Sequence, residues 1–227
     1  MIAIELTSRC NCRCKMCPYR LGGDNPDLGD MDFELFKKIV DENPSDEICL
    51  FNRGEPFLYP KIYEAIEYVC KKAKAIISTN GILIDVDRFC NIKGQKLLVV
   101  SLPAGNAETY KKITEGNKFE VVRENIKRIQ PRLDSESFYV KLVRQKENEG
   151  QEEELKKFCN DVKVVDDSNG KNVHGYTDCS QPDVCPTWDF NGKKKVCCRA
   201  GSDYDWDKNY NLAKQRKLPI CQNCNIR

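Results

Sequence analysis

The stretch Glu5-Leu6-Thr7-Ser8-Arg9-Cys10-Asn11-Cys12-Arg13-Cys14-Lys15-Met16-Cys17-Pro18 places four cysteines within eight residues. Three of them, Cys10, Cys14 and Cys17, have the spacing C-x-x-x-C-x-x-C. Thiolates this close on one loop can surround a compact metal centre, and soft sulfur ligands select zinc or iron–sulfur clusters. A closed structural zinc site takes four ligands, usually as two cysteine pairs. This spacing supplies three, and the next cysteine is Cys49. Three thiolates on a four-iron cluster leave one iron open to another ligand. Two other readings compete: a zinc knuckle that recruits Cys12 as fourth ligand, and a disulfide framework. No secretory leader is recognisable and the chain is too long to need staples, so disulfides are not expected. In the iron–sulfur reading Cys12 is a bystander thiol.

With 227 residues the chain can bury one large core, or one domain with a small appendage. Its 37 basic and 35 acidic residues nearly cancel, so a formal net charge of +2 gives no electrostatic case for nucleic acid or an anionic membrane. The run Lys193-Lys194-Lys195 reads as a solvated turn. Nothing resembles a signal peptide, and no apolar run approaches ~18 residues. The expectation is a soluble, cytoplasmic protein whose fourteen cysteines serve metal ligation rather than disulfides.

Short apolar, β-branched runs alternate with helix-period stretches up to about residue 165. The expected strands are Ile2–Leu6, Glu47–Phe51, Ala75–Thr79, Leu97–Leu102, Ser137–Val143 and Val162–Val165. Between them lie helical patterns at Phe33–Glu42, Ile62–Lys72, Val86–Asn91, Ala107–Ile113, Glu120–Ile129 and Gln151–Cys159. The loop 24–30 precedes the first of these, capped by Asp30 or Asp32. The alternation implies an α/β fold with a parallel sheet, a partial (β/α)6 TIM-like barrel. Ligands of such folds gather at the C-terminal ends of the strands, and the cysteine loop follows strand one directly.

Other motifs occupy the same ends. The second strand runs into Asn52-Arg53-Gly54-Glu55-Pro56, the third into Ser78-Thr79-Asn80-Gly81, and the fourth delivers Ser101. Cysteine spacing and motifs together resemble the radical S-adenosylmethionine (SAM) superfamily. The resemblance implies that Cys10, Cys14 and Cys17 hold a [4Fe–4S] cluster whose open iron binds SAM, with Met16 beside the last ligand. It implies that Glu55 takes the amino group of SAM, in the place of the family's Gly-Gly-Glu-Pro motif, and that Ser78, Asn80 and Ser101 contact the cofactor. Arg53 departs from that motif, where the family usually has glycine. The fifth strand, Phe138-Tyr139-Val140-Lys141-Leu142-Val143-Arg144, is expected to deliver Arg144 to the barrel mouth, to pair with the SAM carboxylate or a substrate oxygen or to be merely solvated.

Past residue 166 helical periodicity stops at Asp166-Asp167-Ser168-Asn169-Gly170, which divides the chain into units 1–166 and 167–227. Six cysteines follow in the last 49 residues: Cys179, Cys185, Cys197, Cys198, Cys221 and Cys224. Strands at Thr187–Phe190 and Lys195–Cys198 flank an Asn191-Gly192 hairpin turn, and a helix at Tyr210–Lys217 leads to the terminal C-x-x-C. On spacing alone a zinc ribbon remains open. The pattern C-x12-G-x4-C with a later C-x-x-C resembles the SPASM/twitch extension of radical SAM enzymes, and its spacing is similar to that of 2-deoxy-scyllo-inosamine dehydrogenases. The resemblance implies that Cys179, Cys197, Cys221 and Cys224 ligate an auxiliary [4Fe–4S] cluster completely.

The expected function is reductive cleavage of SAM to a 5′-deoxyadenosyl radical that abstracts a substrate hydrogen. An electron donor such as flavodoxin or ferredoxin is then a partner. Two-electron oxidation of a cyclitol, sugar or nucleoside is favoured, because peptide-modifying relatives carry a leader-binding domain; a short peptide stays open. Epimerisation is the alternative, with Cys185 or Cys198 donating hydrogen, so Cys185 and Arg144 are the candidate catalytic residues. A rival of another class is a zinc-binding interaction protein. Metal analysis of protein prepared without oxygen separates the two: brown with roughly eight irons, or colourless with about two zinc ions. The Cys10→Ala variant is expected to lose iron and Cys12→Ala to keep it; the reverse pattern overturns the ligand assignment.

Overall fold

The computed structural model describes residues 1–15, 17, 28–166 and 187–195. Alternation along each strand sorts its side chains onto two faces. In β3 (Lys74–Thr79), Ala75, Ile77 and Thr79 are buried while Ile76 and Ser78 are half-buried. β5 (Phe138–Arg144) alternates likewise, β1 (Ile2–Ile4) is buried throughout, and β2 (Glu47–Cys49), β4 (Lys96–Ser101) and β6 (Val162–Asp166) complete the set. These six strands are parallel neighbours in sequence order, without reversal. Parallel crossovers share one hand, so such an order keeps every helix on one side and curls the sheet into a partial barrel.

The helices are α1 (Phe33–Glu42), α2 (Ile62–Cys70), α3 (Val86–Asn91), α4 (Ala107–Thr114), α5 (Phe119–Ile129) and α6 (Glu152–Lys156). One core joins Ile4, Ile48, Ile77, Leu98 and Val140 of the strands to Phe36, Ile66, Phe89, Val122 and Leu155 of the helices. The opposite, inner face carries a small separate cluster of Ala3 and Cys49 with Phe51 and Ile76. The Asp32 side chain caps α1 by accepting from the Leu35 N–H at 2.9 Å. Two helices are shorter than their periodicity suggests. The α2 helix closes at Cys70, and in α6 the N–H groups of Phe158 and Cys159 both reach the Leu155 carbonyl, which tightens and ends the helix.

The hairpin of the C-terminal unit does not stand apart. Its first strand, β7 (Thr187–Trp188), pairs in parallel with β1 on the edge away from β2, and β8 (Lys194–Lys195) pairs antiparallel with β7. β7 ends before the expected Phe190 because the turn begins early, and the expected second strand lies outside the described residues beyond Lys195. Asp189 Oδ1 accepts from the N–H groups of Asn191 (3.1 Å) and Lys193 (2.9 Å), and Gly192 supplies a φ of 76°. The lysine run is not a solvated turn. Lys195 is 2% exposed and pairs with Asp189 at 3.0 Å, while the Lys194 ammonium lies over the Trp188 ring. The expected 210–217 helix and Met16, Cys179, Cys185, Cys197, Cys198, Cys221 and Cys224 lie outside the described residues. Among the described residues no helix is long and apolar enough to cross a membrane.

Ile77 is fully buried between strand and helix layers, whereas Leu83 is 43% exposed. In urea unfolding, Ile77→Ala should lose about 2–5 kcal/mol and Leu83→Ala less than about 0.5 kcal/mol. Equal losses would contradict this placement of the core.

Candidate active site

The site is assembled where the chain leaves β1. Residues 28–31 return beside residues 6–9: the Met31 N–H donates to the Leu6 carbonyl (2.8 Å), the Ser8 N–H to that of Gly29 (3.0 Å), and the Gly29 N–H to Ser8 Oγ (2.9 Å). A Thr7–Asp30 bridge and an Arg9–Asp30 ion pair close the base of the cysteine loop. The loop after β2 locks onto the same segment. The Glu55 N–H donates to the Arg9 carbonyl at 2.8 Å, and Gly54 lies so close that a Cβ there would stand 2.1 Å from the Thr7 carbonyl oxygen.

Glu5 holds this junction from the inner face. Its carboxylate is 0% exposed and accepts from Asn52 Nδ2 (3.0 Å), the Arg53 backbone N–H (3.2 Å), Arg53 Nε (2.9 Å) and Arg53 Nη2 (2.8 Å). Arg53 therefore has a physical role where the family usually has glycine: its guanidinium folds back onto the strand before the cysteines in a bidentate pair. Glu5 was missed by sequence reasoning. Its signal was a carboxylate at an inward position of an otherwise apolar run, Ile2–Leu6.

Glu55 lies across the ends of β2 and β3, 2% exposed. Oε1 accepts from the Phe57 N–H (3.1 Å) and the Thr79 hydroxyl (2.6 Å), and Oε2 from the Asn80 N–H (2.7 Å). Burial pushes its carboxyl above the ordinary range, with these three donors working in the opposite direction. Asn80 continues the chain of contacts: its Nδ2 donates to Asn11 Oδ1 at 2.6 Å, inside the cysteine loop. The first three strand ends thus meet through Asn11, Asn80 and Glu55.

Cys10, Cys12, Cys14 and Cys17 are half-buried. The Cys12 thiol is a hydrogen-bonding neighbour of both Cys10 and Cys14, which lowers the pKa of those two and raises that of Cys12. Cys12, expected as a bystander, thus lies between two of the three expected ligands. Cys17 follows a tight turn, its N–H donating to the Cys14 carbonyl at 3.0 Å, and the Lys15 N–H anchors the loop to the Ile113 carbonyl of α4 (2.9 Å). Among the described residues no group of three or more Cys, His, Asp or Glu side chains is close enough to hold a metal ion. The donor set nevertheless suits an iron–sulfur cluster in its chemistry: soft ligands, two of them acidified, on a loop whose base is fixed.

Ser78 and Ser101 take positions on the inner face, Ser78 beside Val99 and Ser101 beside Lys141 in register. Arg144 does not follow them. In β5 it falls in the alternation of Phe138, Val140 and Leu142, which face the helices, and its guanidinium lies 4.0 Å from Glu152 of α6. The basic residue that β5 presents inward is Lys141.

The close approach of Gly54 yields a test of the junction. Gly54→Ala should cost about 1–3 kcal/mol in urea unfolding, because backbone must move to admit the methyl group. Exchange of the Glu55 amide should accelerate with it; unchanged stability and exchange would contradict the packing.

Residues 4–159 match the family described as the Radical SAM superfamily. A tungsten-containing aldehyde ferredoxin oxidoreductase cofactor-modifying protein of Pyrococcus furiosus is 33% identical over 167 residues, 68% of this chain and 46% of that protein. The antilisterial bacteriocin subtilosin biosynthesis protein AlbA of Bacillus subtilis is 36% identical over 112 residues, 47% of this chain and 25% of AlbA. The chain thus spans less than half the length of these two curated relatives. Among solved structures, BtrN in complex with AdoMet and 2-DOIA superposes with a TM-score of 0.61 at 17% identity, covering 100% of this chain and 92% of BtrN. Streptococcus suis SuiB bound to precursor peptide SuiA gives 0.71 at 13% identity, covering 100% of this chain and 66% of SuiB. At these identities the structural likeness is one of fold. The family match spans the cysteine loop, the Gly-Glu-Pro turn and the ends of β3 to β5, and this chain belongs to the radical SAM superfamily.

Proposed function

We propose that this protein is a radical SAM oxidoreductase that removes two electrons from a C–H/O–H or C–H/N–H pair of a small molecule. The observation that carries the reading is the convergence of the cysteine loop, Glu55 and Asn80 at neighbouring strand ends, within a chain of this family. A [4Fe–4S] cluster with bound SAM supplies, on reduction, a 5′-deoxyadenosyl radical that takes a hydrogen atom from substrate.

In this reading Cys10, Cys14 and Cys17 hold the cluster, with Met16 beside them. Glu55 uses three of its roughly four acceptor positions on protein donors and offers the remaining one to the ammonium of SAM. Its own donors fix the carboxylate in place, so orientation is settled before the cofactor arrives. Asn80, Ser78 and Ser101 line the same inner region with side-chain amide and hydroxyl groups. Cys179, Cys197, Cys221 and Cys224 would hold an auxiliary [4Fe–4S] cluster as electron acceptor. Oxidation rather than epimerisation is supported by the similarity of the C-terminal cysteine spacing to aminocyclitol dehydrogenases. The mutual coverage with BtrN, whose structure holds AdoMet and 2-DOIA, lends further support.

Anaerobically reconstituted and reduced protein should convert SAM to 5′-deoxyadenosine, and none formed would overturn the reading. Glu55→Gln replaces an acceptor with an N–H2 group that faces the Phe57 N–H and must compete for Thr79. SAM affinity should fall roughly ten- to a hundredfold in this variant. An unchanged dissociation constant removes Glu55 from the cofactor site.

A further inference from the structure

We propose that Lys141, with Lys163 beside it, forms a subsite on the inner face of the barrel for a carboxylate or phosphate group of the substrate. The proposal deepens the reading above, since it rests on substrate entering the face that Ser78, Asn80 and Ser101 line.

Strand pairing places the residues. Ser101, Lys141 and Lys163 stand side by side across β4, β5 and β6, and Val99 and Tyr139 form the neighbouring row. Phe138, Val140 and Leu142 point into the helix-packed core, which leaves Tyr139, Lys141 and Val143 on the inner face. The Lys163 ammonium lies 3.9 Å from the centre of the Tyr139 ring, held close to β5.

Lys141 differs from the other basic residues that the fold buries. Lys195 pairs with Asp189, Arg53 with Glu5, and Lys96 donates to the Ile92 carbonyl at 2.7 Å. Lys141 is half-buried, and among the described residues no side chain or carbonyl accepts from its ammonium. Desolvation holds its pKa below the ordinary lysine value. The flanking inner-face residues of β4 and β6 are Leu97, Val99 and Ser101, then Lys163 and Val165; Asp161, just ahead of β6, lies beside Tyr139 in the next row and has no effect on Lys141. Directly paired like charges on neighbouring strands are destabilising, and a desolvated ammonium without an acceptor is costly. The Lys163 ammonium has the Tyr139 ring as a partner, whereas nothing in the fold gives the Lys141 ammonium one among the described residues. An anion at the Lys141 ammonium, with the Ser101 hydroxyl as a further donor and Lys163 on the neighbouring strand, relieves the desolvation penalty.

The test is equilibrium binding to the full chain reconstituted with its cluster, using ribose 5-phosphate against ribose and glucuronate against glucose. At least one charged probe should bind more tightly than its neutral parent. Lys141→Gln should weaken that probe at least about tenfold, and Lys141→Arg should restore most of the affinity. The phosphate and carboxylate arms show which anion the subsite prefers. Lys141→Gln should unfold at an unchanged or higher urea concentration, which excludes misfolding as the cause. Should that variant fail to fold, NMR of the wild-type protein with 13C-dimethylated lysines replaces it, and a Lys141 signal that shifts with ribose 5-phosphate or glucuronate supports the subsite. Charged and neutral probes binding alike, an unaffected Lys141→Gln, or an unmoved signal each overturn the proposal. Binding needs no SAM cleavage. Anion discrimination without 5′-deoxyadenosine would sink the radical reading and uphold the subsite, and the opposite pair of results would do the reverse.

Discussion

The buried carboxylate of Glu5 ties together the two segments on which the site depends. It sits at the end of β1, five residues ahead of Cys10, and takes four donors from Asn52 and Arg53. A buried ion pair is weak evidence for stability as such, because desolvation consumes much of its attraction. Its effect here is geometric. With three donors on Oε2 and one on Oε1, Glu5 holds the loop after β2 to a course that brings Gly54 against Thr7 and the Glu55 amide to Arg9. Loss of either partner would leave a charge stranded in the barrel at the point where the cysteine loop begins.

The same face carries a second buried pair on the adjoining strands. Thr187 is in register with Ala3, and two residues further along each strand come Asp189 and Glu5. Asp189 closes on Lys195 as Glu5 closes on Arg53. Each charge at this edge of the barrel is matched inside the protein. On the far side, β5 and β6 present Lys141 and Lys163 side by side, with Asp161 one row away beside Tyr139. The inner face is thus electrostatically satisfied near the cysteine loop and electropositive across from it. Such an arrangement leaves the middle of the sheet, with Ser78 and Ser101, between a cofactor region and a region suited to an anion.

The winding of the sheet explains why contacts from five segments of the sequence reach one place. Strands that add in sequence order put all their C-terminal ends on one rim, so loops after β1, β2 and β3 are neighbours. They meet through side chains rather than through the sheet: Asn11 with Asn80, and Glu55 with Thr79 and Asn80. The loops after β4 and β5 are joined in the same manner. Asn148 donates to the carbonyls of Pro103 and Val143, and Gln151 accepts from the Gly105 N–H while donating to Thr109. A rim assembled from polar side chains is adjustable by single substitutions, which suits a fold that serves many reactions.

Local chemistry was legible in the amino-acid sequence. Alternating Ala75, Ile77 and Thr79 marks a strand, Asp32 ahead of an amphipathic run marks a helix start, and three spaced cysteines mark a soft-metal loop. Those signals act over a few residues, so periodicity and spacing suffice to read them. Tertiary structure decided the partners. The run Phe138–Arg144 has apolar residues on both faces, so only packing against the helices selects Lys141 for the interior and sends Arg144 to Glu152. Lys195 reads as a surface residue until β8 pairs with β7 and Asp189 closes over it. Arg53 reads as a departure from a glycine motif until Glu5, 48 residues earlier, supplies the opposite charge. Burial and charge pairing depend on which distant segments become neighbours, and a one-residue change of face reverses the role of a side chain.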